Sequence, residues 1–125
     1  MPFLRLVRTD AQRAALAAQL STLDRPRLDA VDLSSNVVIA AFQGLQPTSG
    51  YRVDILAVEA SENVLDVTVK RSSPAPGELV RQGFESPYHL VQVERSDFDG
   101  HSFANYQLLD ISGDVLTEGT IENLD

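Results

Sequence analysis

Cysteine is missing from this chain of 125 residues, and other features that would point to a particular class of protein are missing with it. Without cysteine there are neither disulfides nor thiolate metal sites, and the redox compartment stays undetermined. No apolar run approaches the roughly 20 residues that a membrane-spanning helix needs. Residues 1–5 lack the charged leader and long apolar region of a signal peptide, so we expect no export signal here and leave the localisation open.

Positive charge is also scarce. Eighteen acidic residues outnumber ten basic ones, which gives a formal net charge of −8. A chain this acidic repels the phosphate backbone, so nucleic acid is not an expected partner.

Residue sets for a recognisable reaction are not found either. No serine lies in a Gly-x-Ser-x-Gly motif, and no glycine-rich phosphate loop is present. The only histidines are His89, which we interpret as a surface or hydrogen-bonded strand residue, and His101. The acidic segment 97–101 is interpreted as a solvated turn, because Tyr106 occupies the glutamate position of an EF-type calcium loop. We therefore predict no catalytic residues, no metal, no cofactor and no enzyme activity.

Length and composition indicate a single globular domain over residues 1–125. Hydrophobic residues make up 43% of the chain and charged residues 22%, which is typical of a folded protein. A chain of this length buries roughly two thirds of the surface that it exposes when unfolded, so a core without disulfides is expected.

The N-terminal part is predicted to contain one helix. Thr9 or Asp10 is a good N-cap, and residues 10–23 are rich in alanine and leucine, which are strong helix formers. Pro26 is expected to end the helix. One face carries an apolar stripe, which we expect to pack on the protein's own sheet, made of Leu16, Leu20 and Leu23.

The remaining segments show the period of β-strands. Segment 37–42 is apolar on both faces and predicts a central strand covered on both sides. Segments 51–60 and 65–70 are expected to form a hairpin around 61–63. Further strands or extended lead-ins are predicted at 3–7, 79–84, 88–93, 103–111 and 115–121, with loops at 72–77 and 96–101 and a turn at 112–114. The predicted class is α+β: a strongly bent, mostly antiparallel sheet, sandwich- or barrel-like with about seven strands, and one N-terminal helix packed on it.

The stretch 45–55 is the most informative part of the chain. Pro47 fixes φ at a turn corner, and Gly50 supplies a left-handed or closely packed position. We therefore predict a tight connection between two strands, with Tyr51 starting the second strand and the tip of the connection pointing outward.

A series of motifs follows in order from residue 31. They are Val31-Asp32-Leu33-Ser34, Gly44-Leu45-Gln46-Pro47-Thr48-Ser49-Gly50-Tyr51, Ser73-Pro74-Ala75-Pro76-Gly77 and Ser86-Pro87-Tyr88-His89-Leu90-Val91. In this order they resemble the PrcB-type domain, the accessory subunit of a bacterial surface protease complex. The resemblance covers residues 31–93. It implies a non-catalytic domain, often in exported proteins, that stabilises or assembles a partner protease.

One segment has a second likeness. Residues 47–51 are similar to the Asn-Pro-Thr-Thr-Gly-Tyr loop of chagasin-type cysteine protease inhibitors, which inserts into the enzyme's cleft. Gln46 stands at the asparagine position, and the glycine-rich loop of that family is missing. Protease inhibition through residues 46–51 is therefore the alternative function.

Protein recognition is the function that these observations predict. Exposed proline, tyrosine and arginine on neighbouring loops are suited to anchor an interface. The expected partner is a protein, with a protease as the first candidate, and an open sheet edge would also allow a homodimer. The candidate partner-binding residues are Pro47, Thr48, Ser49, Gly50, Tyr51, Arg52, Pro74, Pro76, Pro87 and Tyr88.

Overall fold

Strands dominate the structure, a computed structural model that describes residues 2–61, 63–97 and 105–120. The strands are β1 (Phe3–Val7), β2 (Asn36–Phe42), β3 (Gln46–Thr48), β4 (Arg52–Ser61), β5 (Val64–Ser72), β6 (Gln82–Glu85), β7 (Tyr88–Glu94), β8 (Asn105–Asp110) and β9 (Val115–Thr120). The helices are α1 (Asp10–Ala17) and α2 (Arg25–Asp29), and a 3₁₀ turn covers Arg95–Asp97.

The described strands form three sheets. β2 lies between β1 and β7, and β3 pairs with β6 in a two-stranded ribbon. The third sheet has the order β4-β5-β8-β9, and in it β5 and β8 run parallel while the other pairs are antiparallel. The mostly antiparallel α+β fold is confirmed. The barrel alternative was wrong because the sheets stay open, and the described residues contain nine strands instead of about seven.

The central strand is confirmed as β2, whose residues 37–42 are all buried between two cores. Alternate side chains of a strand point to opposite faces, so β2 contributes to both cores. The inner core, shared with the four-stranded sheet, contains Leu4, Leu6, Ile39, Ala41, Val53, Leu65, Val67, Val69 and Leu108. The helix core, on the other face, contains Val7, Leu16, Leu20, Leu28, Val38, Ala40 and Phe42. Each large side chain buried in this way contributes about 1.5–3 kcal/mol to stability.

A capping box starts α1 at the predicted residue. The Thr9 hydroxyl accepts a hydrogen bond from the Gln12 N–H at 3.2 Å, and the Gln12 side-chain oxygen accepts one from the Thr9 N–H at 3.2 Å. These bonds satisfy backbone donors that have no acceptor within the helix.

The single predicted helix is two helices in the structure. α1 ends at Ala17, so Leu16 and Leu20 are buried as expected while Leu23 is 87% exposed. Pro26 does not end a helix. It lies in the first turn of α2, where a residue without an N–H loses no intrahelical hydrogen bond.

Arginine side chains tie the two helices together. The Arg13 guanidinium donates to the Asp29 carbonyl at 2.8 Å and to the Val31 carbonyl at 2.6 Å. Arg25 Nε donates to the Ala17 carbonyl at 2.9 Å. Carbonyls at the ends of both helices thus receive charged donors, and the helices cover β2 as one layer.

The predicted hairpins are present within the described residues. β4 pairs with β5 as far as Ser61 and Val64, and β8 pairs with β9; residue 62 of the predicted turn lies outside the described residues. The strand predicted at 79–84 was placed too early, since β6 occupies Gln82–Glu85 and Leu79 is 98% exposed. The predicted turn 96–101 is described only to Asp97, and the rest of it, with His101, lies outside the described residues, as do residues 103–104 and 121.

Candidate functional site

The stretch 45–52 contains a strand that the sequence did not predict. Residues 46–48 form β3, which pairs antiparallel with β6 through a register shift between Gln46 and Thr48. Ser49 extends the pairing, because its N–H donates to the Arg81 carbonyl at 3.0 Å and its hydroxyl accepts from the Arg81 N–H at 2.8 Å. The prediction of a plain turn was therefore wrong, since residues 46–48 are one strand of a ribbon, while Pro47 at its centre is exposed.

Gly50 occupies the special position that was predicted for it. Its φ is +93°, and a Cβ built there would lie 2.9 Å from Pro74 Cγ and 2.9 Å from Glu78 Oε2. The loop 73–78 therefore packs directly on the backbone of Gly50. Tyr51 follows, and β4 begins one residue later than predicted, at Arg52.

The ribbon and the segments that flank it expose large apolar side chains that the sequence did not single out. Leu45 is 69% exposed, Leu79 98% and Phe84 79%. Pro47, a predicted site residue, is also exposed on β3. We call Leu45, Pro47, Leu79 and Phe84 the ribbon surface. Its apolar members were missed because a lone leucine or phenylalanine near a short strand is normally expected to face a core.

The predicted partner-binding residues fall into two neighbouring groups. Residues 47–50 lie in or beside the ribbon together with the proline loop that carries Pro74 and Pro76. A second group lines an open cavity of about 420 Å³ between the start of β4 and the start of β7. Its members are Tyr51, Arg52, Pro87 and Tyr88, joined by Val53, Asp54 and His89.

Tyr88 is held by hydrogen bonds within the protein. Its hydroxyl donates to an Asp24 carboxylate oxygen and accepts from the Ser21 N–H at 3.0 Å. The Ser21 hydroxyl also donates to Asp24, at 2.9 Å. Tyr88 therefore fastens the connection between α1 and α2 to the start of β7, a role that sequence reasoning did not assign to it.

An aromatic row crosses the end of the three-stranded sheet. Phe3 stacks on Phe42 with ring centroids 4.5 Å apart, and Phe42 contacts Tyr88 at 5.4 Å. The three residues are register partners on β1, β2 and β7. Aromatic cross-strand pairs stabilise a sheet by roughly 0.2–1 kcal/mol each. Only the strand register brings these residues together, so the sequence gives no signal for the row.

The hydrogen bonds to Asp24 predict a pH-dependent effect of Tyr88→Phe. The Tyr88 hydroxyl, then the Ser21 hydroxyl and Arg27, hold the pKa of Asp24 below its ordinary value of 3.8. A carboxyl group with a lowered pKa stabilises the fold above that value and loses this contribution as the pH falls through its folded pKa. The stability lost in Tyr88→Phe should thus be largest at neutral pH and shrink below about pH 4.

Urea unfolding of both proteins at pH 7 and pH 3 measures this change. Tyr51→Phe is the matched control, because no hydrogen bond links the Tyr51 hydroxyl to another described residue. Tyr51→Phe should change the free energy of unfolding by the same amount at both pH values. A Tyr88→Phe effect that does not change with pH would contradict the role assigned to Asp24.

His89 is a hydrogen-bonded strand residue, as interpreted from the sequence. Its Nδ1 accepts from the Ile55 N–H at 2.8 Å, which links β7 to the irregular part of β4. Within the described ranges, no group of three or more histidine or acidic side chains could hold a metal ion. No helix among those residues is long and apolar enough to cross a membrane.

Comparison with known proteins finds one family model that is similar to the central part of the chain. The model of the family described as PrcB C-terminal matches residues 37–94, which span β2 to β7 and include the ribbon and the Tyr88 cavity. No curated protein and no solved structure matches the chain. The comparisons give no support to the chagasin likeness, and residues 46–48 are paired with β6. Over residues 37–94, the chain is similar to the PrcB C-terminal family.

Proposed function

We propose that this protein is a non-catalytic interaction module that binds and stabilises a protein partner, as an accessory subunit of a protease complex does. The observation that carries the proposal is the ribbon surface, where Leu45, Leu79 and Phe84 are each more than two thirds exposed. Large exposed apolar side chains on one ribbon and its flanking segments favour an interaction site, since contiguous apolar patches on monomeric proteins mark such sites.

The ribbon is held in shape before a partner binds. The β3–β6 pairing, the two Ser49–Arg81 hydrogen bonds and the packing of Pro74 on Gly50 fix the backbone that carries these side chains. A surface that is already ordered loses little conformational entropy on binding, so more of the buried apolar area contributes to affinity.

Polar groups lie beside the apolar side chains. Arg81 and Glu85 form an ion pair at 2.8 Å on the ribbon, and both side chains are exposed. Such a pair adds little to stability, but a polar rim around an apolar centre is the usual composition of a protein interface. The family match supports the same proposal, since residues 37–94 include both strands of the ribbon.

A pull-down from the native organism tests the proposal. We expect a tagged chain to recover a protein partner, and Phe84→Ser to lower that recovery about tenfold or more, because buried aromatic anchors dominate interface energies. The variant should unfold at the same urea concentration as the unchanged chain, since Phe84 is exposed.

Leu23→Ser is the matched control. Leu23 is 87% exposed but lies in the connection between the helices, far from β3 and β6 in sequence. It should leave recovery unchanged. The proposal would be wrong if Phe84→Ser, Leu79→Ser and Pro47→Ala all recovered the partner as well as the control.

A further inference from the structure

A second cavity, of about 340 Å³, lies between α2 and β7. Arg27, Leu28 and Val31 form one wall, Val38 contributes to the floor, and residues 88–92 form the other wall. Successive side chains of a strand point to opposite faces. Because five consecutive residues line this cavity, it contacts the backbone of the strand as well as alternate side chains. We call this cavity the α2–β7 groove.

The backbone of β7 faces the groove in a defined pattern. β7 is an edge strand, since β2 is its one partner among the described strands. At one end of that pairing the Arg95 N–H donates to the Ser35 carbonyl at 2.9 Å. At the other end the Gln43 N–H donates to the Pro87 carbonyl at 2.9 Å. Both terminal pairs are thus hydrogen-bonded pairs of the antiparallel ladder.

Hydrogen-bonded and non-bonded pairs alternate along such a ladder. The register between the two ends is continuous, so residues 89, 91 and 93 bond to β2. Tyr88, Leu90 and Gln92 direct their N–H and C=O groups away from β2. Outside the strand ladders, no hydrogen bond between described residues uses the backbone of Leu90 or Gln92, and the register gives neither residue a bond to β2. The groove is therefore lined by backbone donors and acceptors with the spacing of a strand.

The side chains of the groove define what would fit it. Leu28, Val38 and Leu90 are apolar. One oxygen of the Asp24 carboxylate, Oδ2, accepts from the hydroxyls of Tyr88 and Ser21. Arg27 is the cationic side chain of the wall; it acts electrostatically on Asp24, and these two described residues form no direct ion pair.

We propose that the α2–β7 groove binds an extended, acidic segment of a partner protein by strand addition to β7. Its backbone would bond to Leu90 and Gln92, alternate apolar side chains would lie on the floor, and a carboxylate would meet Arg27. This site is separate from the ribbon surface and does not depend on the function proposed above.

Gln92→Pro tests the proposal directly. Proline removes the outward N–H of Gln92, which is exposed and does not serve the pairing with β2. Gln92→Thr keeps that N–H and is the matched control. The probe is an acetylated and amidated heptapeptide of alternating valine and threonine with one central glutamate. Calorimetry with the full chain should show binding that Gln92→Pro weakens about tenfold or more and Gln92→Thr changes less than about twofold.

Changes to the peptide supply independent evidence. Methylating its backbone nitrogens should weaken binding about tenfold, because they can no longer donate. Replacing its glutamate with lysine should also weaken binding, by repulsion from Arg27. Amide NMR shifts should centre on residues 88–92. Equal affinity of the proline and threonine variants, or shifts centred elsewhere, would overturn the proposal.

A second copy of the chain is the competing occupant of the groove. Sedimentation of the unchanged protein should show a monomer. A dimer that Gln92→Pro abolishes would overturn the proposal, because β7 would then pair with another β7. The Phe84→Ser variant should bind the peptide with unchanged affinity. The proposal for the ribbon surface and the proposal for the groove can therefore fail independently.

Discussion

Leu65→Ala is expected to lower the free energy of unfolding by about 2–5 kcal/mol. Leu65 is 1% exposed in the inner core, where β5 packs against the sheet that contains β2. Alanine would leave a cavity lined by residues that their own strands hold in place, so the core can collapse only in part. Urea unfolding measures the loss.

Leu56→Ala is the control for this change. Leu56 lies in β4 of the same hairpin but is 57% exposed. The same substitution should cost about 0.5 kcal/mol or less there. Equal losses at Leu56 and Leu65 would mean that the inner core is not where the structure places it.

Gly50→Ala is expected to destabilise the fold by about 2–4 kcal/mol and to displace the loop 73–78. A side chain at a φ of +93° is strained, and the new Cβ would lie 2.9 Å from Pro74 Cγ. Proline is rigid, so the loop must move as a unit. Urea unfolding gives the energy, and amide NMR shifts of the loop show the displacement.

Gly77→Ala separates the cost of backbone strain from the cost of the clash with Pro74. Gly77 has a φ of +81°, but a Cβ there would meet no atom within 4 Å. Its cost should be backbone strain alone, about 1–2 kcal/mol, with the shifts confined to its own turn. If Gly50→Ala lowered the free energy of unfolding by no more than Gly77→Ala does, Pro74 would not pack on Gly50.

The elements that the sequence predicted have local causes. β2 is apolar on both faces, and the β4–β5 hairpin alternates polar and apolar residues around a turn. The capping box at Thr9 needs only residues 9–12. The positive φ of Gly50 follows from a turn that a residue with a Cβ would resist. In each case the physical cause lies within a few residues of the feature.

The elements that were missed depend on contacts distant in sequence. Residues 18–23 have the composition of a helix, but the Ser21 N–H bonds to the hydroxyl of Tyr88 instead of to a helical carbonyl. β3 contains Pro47 and no apolar alternation, and it exists because β6 and the loop around Pro74 lie beside it. No pattern within 46–48 could have predicted it.

The candidate site also combines features with local causes and features that depend on contacts distant in sequence. The sequence selected Pro47 and Tyr88 as residue types that interfaces favour, and the structure leaves Pro47 exposed but bonds Tyr88 internally. The exposed Leu79 and Phe84 were passed over, because apolar residues are expected to be buried when no partner is considered. The free backbone of β7 is a property of the sheet order and has no signature in side-chain types.

The parallel pairing of β5 with β8 determines how this chain can reach its native state. Residues 64–69 must find residues 105–110, with β6 and β7 lying between them along the chain. Each flanking hairpin can form from neighbouring residues, but joining them requires closure of a long loop, whose entropy is lost before the contact is made. We expect the union of the two hairpins to be a late and slow event in folding.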